Sequence, residues 1–280
     1  EMFKKDPVRN NLSAYAKFMP SLIKTVEDLK PFGFLKNDSY NIRFNKNQEF
    51  VEIKTVQDTE IDSYDNDPWN YVIGKHNFRG LWDFNDSKKR IGFFGCSFTF
   101  GEGIKYEDTF INIVSEQLKL NPFNFGAAGA GVERVARLFS AVSSVIDLDY
   151  AVVTLPGWHR QLHIDPDGTM ISLIPHWPHK GYENLTDLLT NVSEEYYVVR
   201  ASTSINWIYD IAKHKGIKLI LSSWDHPQNE FCKLAFPNNT IGPFPNIDDK
   251  CARDKMHPGP KSQAAHAEQI IKAFHDRAWV

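Results

Sequence analysis

The hydrophobic pattern divides the chain into an irregular first part and a regular remainder. In the first part, apolar residues recur at roughly helical spacing over residues 11–30, although Pro20 interrupts them. Alternating apolar and polar residues then predict short strands over Tyr40–Phe44 and Phe50–Val56. We interpret residues 1–86 as an N-terminal extension, helical with short strands, that packs on the domain formed by the remainder.

From residue 87 onward, short apolar runs alternate with amphipathic stretches of helical periodicity. Strands are predicted over Ile91–Phe94, Pro122–Phe125, Tyr150–Leu155 and Ile217–Leu221. Helices are predicted over Glu107–Leu120, Val132–Ile146, Tyr196–His214 and Lys261–Phe274. This alternation predicts parallel strand–helix–strand units, and therefore an α/β domain with a doubly wound parallel sheet covered by helices on both faces.

The predicted strand ends carry polar or glycine-rich segments, at the sheet edge where such folds bind their ligands. These segments are Ser97, residues 126–131, Gly157–Arg160 and Trp224–His226. Residues 157–195 form a long, aromatic and histidine-rich stretch whose prolines argue against one regular element. We expect this stretch to be a loop that serves as a lid or a binding surface.

Composition and charge narrow the classes of partner. The 280 residues carry a formal net charge of −3 at pH 7, and 42% of them are hydrophobic, as in ordinary globular proteins. We expect no nucleic-acid partner, because no basic surface is indicated, and no membrane partner, because no apolar run approaches the ~18 residues of a span. The cysteines are odd in number and lack CxxC spacing, which favours a reducing, cytoplasmic compartment.

Two segments carry residues suited to nucleophilic chemistry. The apolar run Arg90–Gly95 is too short for a helix and leads directly to Ser97, so a buried strand is predicted to present this serine in a tight turn. Ser97 is thus a candidate nucleophile, with helix capping as the structural alternative. Asp254 stands three residues before His257, a spacing that lets the carboxylate hold Nδ1 and leave Nε2 for a nucleophile, or form a capped surface turn.

Taken in order, these segments resemble the SGNH (GDSL-type) hydrolase family. Gly95-Cys96-Ser97 resembles the first block of that family, Asn124–Gly129 the second and Asp254–Pro258 the last. The resemblance extends from about Arg90 to the C-terminus, and Asn77–Gly80 is similar to a segment that precedes the domain in some members. It implies a three-layer, flavodoxin-like fold and a hydrolase that acts on ester bonds.

The resemblance also implies a role for each matching residue. Ser97 would attack an ester carbonyl, His257 would take and return its proton, and Asp254 would hold His257. The backbone N–H groups of Ser97 and Gly129 would donate to the oxyanion. We expect a catalytic triad and an oxyanion hole that need no cofactor.

The sequence departs from the family pattern at two positions. Cys96 stands where the family usually has an aspartate before the serine, which affects the support of the turn more than the chemistry. His159 stands where the family usually has an asparagine as third oxyanion donor. His159 or the neighbouring Arg160 can supply an N–H there; otherwise the activity is weakened or lost.

The expected function is that of a serine esterase. It would remove an O-acyl group, with acetyl as one candidate, from a carbohydrate or another small-molecule ester, and Trp158, Arg160 and Trp224 are the candidate substrate-binding residues. The alternatives are a binding module on the same scaffold with weakened catalysis, and an acyltransferase.

Other polar residues invite competing interpretations. The spacing of His159 with His163, and of His176 with His179, allows a metal site, but neither pair has the context of a known metal motif, so we predict none. Residues 225–226, an Asp-His pair, are expected to shape the pocket, since adjacent side chains point apart in an extended chain.

Overall fold

The computed structural model describes residues 23–33, 40–44, 50–55, 71–74, 76–164, 170–175, 181–248, 252 and 257–280. The strands are β1 (Tyr40–Phe44), β2 (Phe50–Thr55), β3 (Tyr71–Gly74), β4 (Arg90–Gly95), β5 (Asn121–Gly126), β6 (Tyr150–Leu155), β7 (Gln161–Ile164), β8 (Met170–Leu173) and β9 (Lys218–Ser223). The α-helices are α1 (Ser97–Phe100), α2 (Phe110–Leu118), α3 (Val132–Val145), α4 (Glu183–Thr190), α5 (Glu194–Lys215), α6 (His226–Ala235) and α7 (Pro260–Asp276). Short 3₁₀ helices span Val26–Phe32 and Tyr106–Asp108.

The centre of the fold is a four-stranded parallel sheet in the order β5-β4-β6-β9. Its middle strands are buried along nearly their whole length, as expected for a sheet covered on both faces. Successive residues of β4 point to opposite faces: Phe93 joins the core formed with α2 and α7, and Phe94 joins the core formed with α3 and α5. The predicted α/β fold with a parallel sheet between two helical layers is confirmed.

The register of the sheet aligns the strand ends that matter for function. Gly95 of β4 pairs with Gly126 of β5 on one side and with Thr154 of β6 on the other. The residues that follow these strands therefore leave the sheet at one edge, as the sequence predicts. Ligands of parallel α/β sheets bind at this edge.

The N-terminal part contains an antiparallel sheet in the order β1-β2-β3. The first strand agrees with its prediction, and the second agrees over Phe50–Thr55, while Val56 lies outside the described residues. The helical prediction over residues 11–30 lies largely outside the described residues, which show only the 3₁₀ helix Val26–Phe32 there. This helix contacts the core because Arg134 of α3 donates hydrogen bonds to the Phe32 and Gly33 carbonyls, at 2.9 and 3.1 Å. The division at residue 86 stays a prediction.

The prediction of a long loop over residues 157–195 is wrong in part, although this stretch is, as predicted, not one regular element. An antiparallel pair, β7 and β8, lies within it, followed by α4 and the beginning of α5. Each of the two strands has only four residues, and half or more of these are partly exposed. Such short strands leave no period that the sequence pattern can reveal.

Two helical predictions also need correction and one helix was not predicted, each for a physical reason. The helix predicted from Glu107 is a 3₁₀ turn followed by α2, which begins after Thr109, whose side chain accepts a hydrogen bond from the Asn112 N–H. Helix α6 was not predicted, because the residues it buries include Gln228 and Asn229 instead of an apolar stripe. The apolar spacing predicts that Ala264, Ala267, Ile271 and Phe274 form the buried face of α7. Polar residues share that face in the structure, and Ala264 and Ile271 are only partly buried.

Candidate active site

Ser97 follows β4 directly and is the first residue of α1, at the carboxyl edge of the central sheet. The residue is 5% exposed, so it lies in a recess. Gly95 makes the tight turn possible, since a Cβ there would stand 2.2 Å from Thr99 Oγ1. The Ser97 carbonyl accepts hydrogen bonds from the N–H groups of Gly101 and Glu102, at 2.8 and 3.0 Å. The chain thus folds back on the serine within one turn.

The capping alternative does not describe Ser97, because Cys96 occupies the N-cap position of α1. Cys96 is fully buried in the hydrophobic core, where its side chain serves packing. The Ser97 N–H is one of the donors that a helix start leaves without a partner inside the helix. Within the described part of the chain, this N–H donates no hydrogen bond.

The loop after β5 packs directly against the serine turn. Gly126 approaches α1 so closely that a Cβ would stand 2.2 Å from the Phe100 nitrogen. The Ala127 N–H also donates to the Gly95 carbonyl at 3.0 Å. Gly129 adopts φ +73°, a left-handed conformation that favours glycine, and nothing lies within 4 Å of the position of its Cβ. Among the described residues its N–H has no hydrogen-bond acceptor, so it remains available to a ligand.

His257 contacts the serine turn at two points. Phe98, the residue after Ser97, meets its ring edge-on with the ring centroids 5.6 Å apart. Glu102 Oε2 lies 4.0 Å from His257 Nε2, and the two side chains are 17% and 15% exposed. The structure therefore brings His257 to the turn that carries Ser97.

The carboxylate seen beside His257 is not the one that the sequence predicts. Asp254 lies outside the described residues, so its role as the group that orients His257 stays a prediction. Glu102 was not identified from the sequence as a site residue. The signal that could have found it is its position between two glycines directly after the serine turn, where a compact backbone holds the carboxylate. Its negative charge faces the nitrogen that a triad uses for proton transfer.

The segment after β6 lies against the strand end of β9. A Cβ at Gly157 would stand 2.8 Å from His159 Cε1 and 3.3 Å from Trp224 Cζ2, so glycine lets both rings close over the backbone. The Arg160 guanidinium carbon lies 5.6 Å from the centre of the Trp224 ring. A Cβ at Gly131 would meet the Arg160 carbonyl at 2.5 Å, which shows how closely this segment also approaches the loop after β5.

His159 lies in an environment that favours its neutral form. Burial lowers the pKa of His159, the Arg160 guanidinium lowers it further, and Asp225 and Glu194 oppose these effects. A neutral imidazole carries one N–H donor and one acceptor nitrogen. His159 can therefore offer a hydrogen bond to a developing oxyanion at neutral pH.

The two tryptophans predicted to bind substrate differ in their contacts. Trp158 donates its indole N–H to Glu194 at the start of α5, which ties the segment after β6 to that helix. Trp224 packs against Phe98 with the ring centroids 5.7 Å apart, and so reaches the residue beside Ser97. Trp224 is the better placed of the two to touch a ligand at the serine.

A second serine and histidine meet beneath the sheet edge. Thr154 Oγ1 lies 3.2 Å from His266 Nε2, and Ser222 Oγ lies 3.5 Å from the same nitrogen. All three residues are completely buried, and burial lowers the pKa of His266 to about 3. This neutral, enclosed histidine cannot meet a substrate, so we assign the network to the core.

Neither a metal centre nor a membrane span emerges from the part of the chain that the structure describes. No group of three or more His, Cys, Asp or Glu side chains there is arranged to hold a metal ion. Of the histidines considered for such a site, His176 and His179 lie outside the described residues, and His163 packs against the Tyr182 ring, centroids 5.5 Å apart. No helix among the described residues has the length and apolar character needed to cross a bilayer.

Models of known protein families and curated protein sequences give no match to the chain. Solved structures to which it is similar include an acetyl xylan esterase from the rumen bacterium Butyrivibrio proteoclasticus, 13% identical over 71% of this chain and 67% of that chain, with a TM-score of 0.43. A member of the lipolytic G-D-S-L family from Veillonella parvula is 13% identical over 67% of this chain and 98% of that chain, with a TM-score of 0.42.

The psychrotrophic esterase EstA from Pseudoalteromonas sp. is 10% identical over 69% of this chain and 100% of that chain, with a TM-score of 0.46. At these identities and TM-scores, the activity has to be argued from the residues of the chain itself.

Proposed function

We propose that the chain is a serine esterase of the SGNH type, which hydrolyses an O-acyl ester with Ser97 as nucleophile, His257 as general base and Asp254 as the group that orients His257. The convergence of separate segments on Ser97 carries the proposal. The serine turn, the loop that holds Gly129, the segment after β6 and His257 meet at one edge of a parallel sheet. Such an edge is where this type of fold places its chemistry.

In the proposed reaction, Ser97 Oγ attacks the acyl carbonyl carbon while His257 Nε2 takes the hydroxyl proton. The tetrahedral intermediate collapses when His257 gives that proton to the departing alcohol oxygen, which leaves the acyl group on Ser97. A water molecule, deprotonated by His257, then attacks the acyl carbonyl. Collapse of the second intermediate releases the acid and returns the proton to Ser97.

The oxyanion of each intermediate would accept hydrogen bonds from the backbone N–H groups of Ser97 and Gly129 and from the His159 imidazole. The open space around Gly129 and the lowered pKa of His159 support this assignment. Preorganised donors of this kind contribute strongly, because removing one typically lowers kcat by ~10²–10³.

The proposed substrate is an O-acyl ester of a carbohydrate or another small molecule, with acetyl as one candidate acyl group. Trp224 reaches the serine turn through Phe98 and offers an aromatic surface on which the apolar face of a sugar ring can pack. Trp158 stands in the adjacent segment, although its indole N–H is already engaged by Glu194.

The proposal is tested by reaction of the protein with a fluorophosphonate probe and by hydrolysis of p-nitrophenyl acetate. We expect the wild-type protein to take up one probe per chain and to cleave the ester, and Ser97→Ala to lose both properties. Ser202→Ala is the matched control, because Ser202 lies on α5 with its hydroxyl bonded to a carbonyl of its own helix. A wild-type protein that neither labels nor cleaves short esters would favour a binding module instead.

A further inference from the structure

The guanidinium group of Arg160 lies at the candidate site and forms no ion pair with the described residues there. In the described part of the chain, no ion pair or hydrogen bond to its guanidinium group is present, and its Nε is buried with no acceptor. The indole Nε1 of Trp224, on which the guanidinium stacks, is likewise buried and without an acceptor. Buried donors are nearly always paired in folded proteins, so two unpaired donors in one contact need an explanation.

The backbone at Arg160 is firmly held. A loose segment therefore does not explain why the side chain lacks a partner. Its N–H donates to the Gly157 carbonyl at 3.2 Å, and its own carbonyl lies against the Gly131 Cα. The backbone that carries the side chain is thus fixed, and the contact with the Trp224 ring favours one position of the guanidinium. Preorganised donors lose little conformational entropy when they bind an acceptor.

Two other arginines, which have structural roles, provide a comparison for the contacts of Arg160. Arg79 and Arg134 are almost completely buried, and both donate hydrogen bonds to backbone carbonyls. The Nε atoms of Arg79 and Arg134 are also buried without an acceptor, so what distinguishes Arg160 is that its terminal nitrogens donate to no protein acceptor among the described residues while its guanidinium lies over an indole. Its surroundings are those of a ligand contact.

The carboxylates near this segment are engaged elsewhere. Asp225 accepts a hydrogen bond from the Gln228 N–H and so caps α6, and Glu194 accepts the indole N–H of Trp158. Both charges act on His159 through space, as Arg160 does, but neither forms an ion pair with Arg160. An acceptor supplied by a ligand can therefore bind the guanidinium without displacing a protein partner.

We propose that Arg160 and Trp224 form a subsite for a carboxylate of the substrate, so that the enzyme prefers esters that carry an acidic group. This inference rests on the proposed function. A planar carboxylate matches the fork of a guanidinium and can also accept a neighbouring indole N–H. Phe98 joins this subsite to the serine turn, since it packs against Trp224 and follows Ser97 directly.

The test compares charged and neutral esters of matched shape. A carboxylate on the alcohol side is examined with m-acetoxybenzoate against phenyl acetate, and one on the acyl side with p-nitrophenyl hydrogen succinate against p-nitrophenyl butyrate. We expect the wild-type protein to prefer the anion in one pair, and Arg160→Gln to lower that ratio of kcat/KM values by about 10- to 100-fold, as for the loss of a charge-assisted hydrogen bond. Arg160→Lys should restore part of the ratio.

Arg277→Gln is the matched control. Arg277 also stacks on an indole, with its guanidinium carbon 5.2 Å from the Trp279 ring centre. Trp279 lies at the opposite edge of the sheet, where its carbonyl accepts the hydroxyl of Tyr150, the first residue of β6. This substitution should leave the ratio unchanged. An unchanged ratio in Arg160→Gln, or an equal fall in Arg277→Gln, would overturn the subsite.

A binding measurement separates the failure of the subsite from the failure of the proposed function. Calorimetry with Ser97→Ala protein would compare m-hydroxybenzoate with phenol, neither of which can be cleaved. If Ser97→Ala protein binds m-hydroxybenzoate and the Ser97→Ala, Arg160→Gln double variant does not, the subsite is supported even if no ester is hydrolysed. Equal binding of these two compounds, together with equal binding of monomethyl succinate and methyl butyrate as the acyl-side pair, would overturn it, even if the wild-type protein is an active esterase.

Discussion

Arg79 holds the back of the turn that carries the nucleophile, and replacing it with methionine should damage both stability and catalysis. The residue is 1% exposed. Its Nη1 donates to the Phe100 and Gly101 carbonyls at 2.8 and 2.5 Å, and its Nη2 donates to the Ile104 carbonyl at 2.7 Å. The first of these residues ends α1, the helix that begins with Ser97. Methionine fills much of the space but leaves the carbonyls without these donors.

The size of the effect follows from these contacts. A hydrogen bond to a charged group contributes ~1.5–3 kcal/mol, but the three bonds share one guanidinium, and the freed carbonyls can regain water as the turn relaxes. Single substitutions seldom cost more than ~4–5 kcal/mol. We therefore expect Arg79→Met to lower the free energy of unfolding by about 3–5 kcal/mol, a large part of the ~5–15 kcal/mol of a typical domain. We also expect kcat to fall, because Ser97 shares the displaced turn.

The assay is urea unfolding followed by tryptophan fluorescence, together with kcat on p-nitrophenyl acetate at a temperature where each variant is folded. Arg134→Met is the matched control. Arg134 is 4% exposed and donates to the Phe32 and Gly33 carbonyls, far in sequence from the serine turn. Burial lowers the pKa of Arg134 to about 10, so it is still charged at neutral pH. We expect this variant to lose stability but to keep its kcat.

Two results would refute this reasoning about Arg79. A loss of less than about 1 kcal/mol in Arg79→Met would mean that the carbonyls find other partners at little cost. An equal fall in kcat for Arg79→Met and Arg134→Met would mean that activity follows overall stability and not the position of the turn. Arg79→Lys should recover part of the stability, because an ammonium group keeps the charge but lacks the fork.

Two histidines give further predictions. His159→Ala should lower kcat by ~10²–10³ if its imidazole is an oxyanion donor, and His159→Asn should recover part of that loss; equal rates for wild type and His159→Ala would contradict the role. Burial lowers the pKa of His266 from 6.5 to about 3. Between these two pH values the unfolded chain binds a proton at this histidine and the folded chain does not. The free energy of unfolding therefore decreases as pH falls from about 6.5 toward 3. His266→Gln, which does not titrate, should remove about 2 kcal/mol of the stability difference between pH 7 and pH 5 measured by urea unfolding, and an unchanged difference would count against the buried neutral state.

The sequence predicts the central sheet well because its strands are buried on both faces. Short apolar runs that end at glycine or a polar turn have few alternatives in an α/β chain, and β4, β6 and β9 follow this pattern. The position of Ser97 follows for the same reason. Gly95 and Gly126 stand where a Cβ would collide with α1, so the glycines mark the close approach that forms the site.

The features that escaped prediction are those in which polar residues are buried or distant segments meet. Helix α6 buries Gln228 and Asn229, and α7 buries His266, so the hydrophobic pattern gives a weak or wrongly phased signal. The stacking of Arg160 on Trp224 joins the ends of two strands, a contact that no local pattern encodes. Such contacts depend on tertiary packing.

Glu102 connects the turn that carries Ser97 to His257, the proposed base. The sequence of neither segment alone indicates this contact. Its N–H bonds to the Ser97 carbonyl, while its carboxylate lies 4.0 Å from His257 Nε2. In the proposed mechanism, that negative charge favours the protonated imidazole formed when Ser97 attacks. The Ser97 hydroxyl, which loses the proton, and the Glu102 carboxylate, which stabilises the proton on His257, thus belong to one turn. Arg79 holds the far side of this turn. Displacing the turn should therefore weaken attack and proton transfer together, which is why the kcat of Arg79→Met is expected to fall while that of Arg134→Met is not.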